Sequence, residues 1–102
     1  MPLAVETDRE ALVQFCRRNR IAKLELFGSR AKGTARPDSD IDLLATFEDG
    51  YTPGLEFFGM ADELEGILGH PVDLLTRPTV ERDRNPYFRQ SVLSVAELLY
   101  AA

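Results

Sequence analysis

With 102 residues, 44% of them hydrophobic, the chain has the length of one domain spanning 1–102 and is too apolar for a disordered one. A net charge of −5, from 12 basic and 17 acidic residues, argues against wrapping nucleic acid over a broad face and leaves room for a small basic pocket. No apolar run is long enough to span a bilayer, and the opening MPLAVETDRE lacks the basic-then-apolar order of a secretory leader. A lone Cys16 offers neither a disulfide nor a metal cluster, so a cytoplasmic protein with no membrane partner is expected.

Thr7 followed by Glu10 has the spacing of a capping box, and Ala11, Leu12, Phe15 and Cys16 recur with helical period. A first helix is expected there, with Cys16 a core thiol. Ile21 to Phe27 reads as a strand that ends abruptly at Gly28-Ser29. Ser29 to Lys32 fits a short helix start, and Gly33 to Ser39 is loop by composition. Asp40 to Phe47 is the clearest strand. Asp40, Asp42, Leu44 and Thr46 share one face, and Ile41, Leu43, Ala45 and Phe47 the other.

After a turn at Glu48 to Pro53, Leu55 to Leu68 reads as an amphipathic helix with Leu55, Phe58, Ala61, Leu64 and Leu68 inward, closed by Gly69. Pro71 to Leu75 reads as a short strand on which Val72 and Leu74 face away from Asp73. Arg77 to Arg84 gives no clear period. Asn85-Pro86 starts a final helix with Phe88, Val92, Val95, Ala96 and Leu99 as its apolar stripe. The expected fold is a small α/β domain, a short mixed sheet of about three strands flanked by helices.

The chemistry is concentrated in LFGSRAKGTARPDSDIDLL, Leu26 to Leu44. Asp40 and Asp42 lie two apart on a strand, so both carboxylates point the same way and repel each other unless a cation lies between them. Magnesium suits such hard oxygen ligands. A D-x-D pair alone is most often the polar face of a solvated edge strand. Here it follows a glycine-serine turn, where backbone N–H groups at a helix start can receive phosphate oxygens, with Arg30 and Lys32 adding positive charge. Asp73 is a third acid, either a surface residue or a further metal ligand and the base for an attacking hydroxyl.

A glycine-serine pair, ten residues and then D-x-D resembles the nucleotidyltransferase signature of the DNA polymerase beta superfamily. The fuller GSRAKG…SDIDLL is similar to the minimal nucleotidyltransferases, the MNT proteins, across the length of the chain. The resemblance implies that Gly28 and Ser29 hold a triphosphate and that Arg30 and Lys32 touch it. It further implies that Asp40, Asp42 and Asp73 bind two Mg2+ ions and carry catalysis. ATP is then the donor of AMP to a hydroxyl, with release of pyrophosphate. MNT proteins commonly pair with a HEPN ribonuclease toxin as its antitoxin, so a HEPN-type partner is expected. The alternatives are a non-catalytic module that masks the toxin, and a transferase acting on RNA ends or a small molecule. The net charge counts against nucleic acid as the main partner. Homo-oligomerisation is left open, and Tyr87, Phe88, Leu98 and Tyr100 add more apolar surface than a small sheet needs, either for a protein contact or for packing a C-terminal helix.

Overall fold

The computed structural model describes residues 9–28 and 40–102. Helix α1 (Arg9–Arg18) buries Leu12, Phe15 and Cys16 as the helical period requires. Strand β1 (Ile21–Phe27) leads to Gly28, and β2 (Ile41–Phe47) follows. Helix α2 (Phe57–Leu68) ends on Gly69, which takes the left-handed φ of 75° and donates its N–H to the Glu65 carbonyl. Then come β3 (Val72–Thr76), the short α3 (Arg77–Glu81), α4 (Pro86–Leu93) and β4 (Glu97–Ala101). The Thr7 capping box and the Ser29–Lys32 helix lie outside the described residues.

The strands form a mixed sheet in the order β3-β2-β1-β4. β1 runs antiparallel to β2 and β4, and β2 runs parallel to β3. One sheet face packs on α1 and α2 through Leu12, Phe15, Leu24, Leu43 and Leu64. The other carries a smaller cluster of Phe27, Leu44, Val80 and Val92 under α3 and α4. β2 is therefore interior and covered on both faces, not a solvated edge. Leu44 lies fully buried on the aspartates' own side of the strand. Such double burial is what a strand flanked by helices on both sides requires.

Two expected elements differ. The last helix stops at Leu93, and Glu97–Ala101 forms a fourth strand. Asn85 caps α4 as expected, its side chain accepting from the N–H groups of Tyr87 and Phe88, with Pro86 opening the helix. Beyond it, pairing with the open side of β1 outcompetes the helical period. An irregularity between Leu24 and Glu25 lets the consecutive Leu99 and Tyr100 both reach the core. The second difference is the phase of α2. Its buried residues are Met60, Leu64 and Leu68, while Leu55 precedes the helix at 84% exposed and Phe58 is 75% exposed.

Candidate active site

The sheet register assembles the site. Residues paired across neighbouring strands share a face, so Phe27, Asp42 and Asp73 lie side by side across β1, β2 and β3. Asp42 and Asp73, 31 positions apart in sequence, are direct partners in the parallel β2–β3 ladder. Asp40 lies exposed just before β2, where the Ile41 N–H donates to the Pro71 carbonyl at 2.8 Å and fixes how the two strands start. Asp73 is exposed and Asp42 half-buried. Asp42 and Asp73 thus lie side by side at one end of one sheet face, beside the cluster that α3 and α4 cover, and Asp40 precedes them just outside β2.

Gly28 completes this corner. Its φ of 75° is left-handed, the region that favours glycine. A Cβ built there would stand 2.0 Å from Asp42 Oδ2 and 2.9 Å from its Cγ. Only a residue without a side chain lets the turn close against the carboxylate. Ser29, Arg30 and Lys32, expected on the phosphate side, lie outside the described residues.

Among the described residues, no three His, Cys, Asp or Glu side chains form a group that could hold a metal ion by themselves. The three-carboxylate metal site expected from Asp40, Asp42 and Asp73 is therefore not assembled as such among the described residues, and the structure brings together only Asp42 and Asp73.

A buried charge below the acids escaped the sequence reading. Glu25, only 7% exposed, is the register partner of Leu44 and shares the acids' face. Arg77, the first residue of α3, donates to Glu25 Oε1 at 2.7 Å through one guanidinium nitrogen. It donates to Glu81 at 3.2 Å through another. The pair spans β2 over Leu44 and ties the start of α3 to β1. The signal for it in sequence is a glutamate set between Leu24 and Leu26, two residues after Lys23, in a strand otherwise apolar. Cys16 is a core thiol as expected, and burial pushes its pKa up to about 12.

The family model for the nucleotidyltransferase domain matches residues 9–98. A Methanocaldococcus jannaschii protein named "Putative protein adenylyltransferase" is 35% identical over 74 residues, covering 72% of this chain and 71% of that protein. A solved structure described as a "putative minimal nucleotidyltransferase" is 40% identical, with a TM-score of 0.61 over 90% of this chain and 87% of the other. A structure of a tri-AMPylated Shewanella oneidensis HEPN toxin with its MNT antitoxin matches at 21% identity and a TM-score of 0.60, covering 92% of this chain and 70% of that one. At that identity it speaks to the fold alone. With Gly28 closed against Asp42, Asp42 paired with Asp73 and a family match over most of its length, the chain belongs to the nucleotidyltransferase domain family and is similar to its minimal members.

Proposed function

We propose that this protein transfers AMP from ATP to a hydroxyl of a partner protein, and that the partner is a HEPN-type toxin which it restrains as antitoxin. The observation that carries the chemistry is the pairing of Asp42 with Asp73 on adjacent parallel strands, with Gly28 closed against Asp42. The protein adenylyltransferase name of the archaeal relative supports the donor and the acceptor class. The biological setting follows from the resemblance of the GSRAKG…SDIDLL motif to the MNT proteins, whose toxin complex has a matching fold.

The acceptor oxygen attacks the alpha phosphorus of ATP. The bond from that phosphorus to the bridging oxygen breaks, and pyrophosphate departs with the electron pair. Asp73, on the exposed edge strand, receives the hydroxyl proton. Asp40 and Asp42 would hold magnesium, which would supply positive charge against the phosphate oxygens. The motif implies that Gly28 and Ser29 would receive the triphosphate on backbone N–H groups and that Arg30 and Lys32 would balance its charge. Most of the rate enhancement is placement and electrostatics on a preformed corner.

The test is incubation with magnesium, ATP labelled at the alpha phosphate and extract from the source cells, beside an Asp42→Asn variant. One labelled protein band, lost with the variant, is expected. Label in RNA or a small molecule would overturn the acceptor. No label, with a toxin still bound, would replace catalysis by masking.

A further inference from the structure

We propose that the acceptor enters as an extended segment laid along the outer edge of β3, adding a strand to the sheet and bringing its hydroxyl residue beside Asp73. This rests on the transferase reading above and names how that site takes its substrate.

Among the described residues β3 is a sheet edge, paired only with β2. The Ile41 N–H to Pro71 bond sets the ladder's phase. In that phase Asp73 and Leu75 turn their backbone groups toward β2, and Val72, Leu74 and Thr76 turn theirs outward. The Val72 N–H is taken by the Glu65 carboxylate at 3.3 Å. The outward N–H and C=O of Leu74 are left for a further strand, and exposed edge groups of this kind are templates for β-addition.

The edge opens into a groove of about 400 Å³ lined chiefly by Pro53, Phe57, Phe58, Leu74, Leu75 and Thr79. Phe58 stands 75% exposed on its rim, an unusual place for a large aromatic with no cover. The opposite wall is the turn after β2, and it is held in place. Tyr51 donates its hydroxyl to Glu56 at 2.9 Å, the Arg20 guanidinium lies 4.5 Å above the Tyr51 ring, and Phe47 packs 5.8 Å from that ring. A preformed groove orders its ligand at low cost.

Continuity with the acids selects the occupant. Side chains of an added strand alternate between faces. A residue opposite Asp73 points to the acids' face, and the neighbour opposite Leu74 points into the aromatic groove. The segment recognised is therefore a hydroxyl residue with an apolar residue next to it, in extended form.

The probe is the acetylated, amidated peptide Lys-Val-Leu-Tyr-Leu-Thr-Lys, with a twin N-methylated at both leucines and at the tyrosine between them, so that neither of its edges can pair across the centre. With full-length 15N-labelled protein, the peptide is expected to shift the amides of Leu74 and Phe58 and to slow hydrogen exchange at Leu74, and the twin to do neither. With magnesium and alpha-labelled ATP, Phe58→Glu is expected to raise KM for the peptide about tenfold with kcat little changed. No amide shift at about 1 mM peptide, equal binding of the twin, or shifts confined to other surfaces would overturn the docking edge. Edge binding without any transfer would leave the docking standing and overturn the transferase reading. Transfer to the peptide with the β3 edge unperturbed would do the reverse.

Discussion

Replacing Gly28 by alanine tests the site through one methyl group. The position has φ of 75°, where an L side chain costs about 1–2 kcal/mol. The methyl would also stand 2.0 Å from Asp42 Oδ2, roughly 1.5 Å inside an optimal contact, and 3.2 Å from Asp42 Cβ. The carboxylate can relieve this by rotating away, so the fold survives and the site does not. The strain alone lowers Tm by roughly 5–15 °C for a domain of this size. A carboxylate displaced by about 1 Å lowers transfer by about 100-fold or more. Gly50→Ala is the matched control, because its φ is 79° and a Cβ there meets nothing within 4 Å. Thermal unfolding and alpha-label transfer, measured on both variants, separate strain from collision. Comparable losses of stability with loss of transfer only in Gly28→Ala are expected. A Gly28→Ala protein with transfer within about threefold of wild type would refute the packing argument.

Under the proposed base role, Asp73→Asn is expected to lower transfer by about 100- to 10,000-fold while far-ultraviolet circular dichroism is unchanged, since the residue is exposed. Arg77→Ala strands the Glu25 carboxylate, 10% exposed as a side chain, with Lys23 at 3.9 Å as its remaining cation. Because Arg77 is itself 26% exposed, the loss should be about 2–3 kcal/mol rather than the full penalty of a buried pair. Urea unfolding of the double variant Glu25→Leu with Arg77→Met should return to within about 1 kcal/mol of wild type. Cys16 favours its protonated form in the folded state, with a pKa moved from 9.0 to about 12. Its contribution to stability is therefore complete below pH 9 and is lost as pH rises toward 12. At pH 8 a thiol reagent should label Cys16 only after unfolding.

Local chemistry read correctly from the sequence wherever one interaction decided it. The strand carrying Asp42, the Asn85-Pro86 helix start and the Gly69 stop each depend on a few adjacent residues. The convergence of Asp42 with Asp73 could be guessed only by resemblance, because register is set by pairing between strands distant in sequence. The phase of α2 was ambiguous for a definite reason. Leu55, Phe57, Phe58, Met60, Ala61, Leu64, Ile67 and Leu68 supply two overlapping stripes, and only the position of the sheet selects the one through Met60. Glu97–Ala101 satisfied a helical period by coincidence, and the vacant side of β1 that claims it is invisible in local pattern.

That last strand has a bearing on how the chain folds as it is made. β1 ends at the glycine that shapes the acid corner, yet one of its two neighbours, β4, arrives only with Glu97–Ala101. During synthesis β1 leaves the ribosome well before Glu97–Ala101, so for that interval one side of β1 carries unpaired N–H and C=O groups while β2 and β3 can already pair. A nascent chain at that stage presents an open strand edge beside the acid corner, the kind of template on which chains associate wrongly.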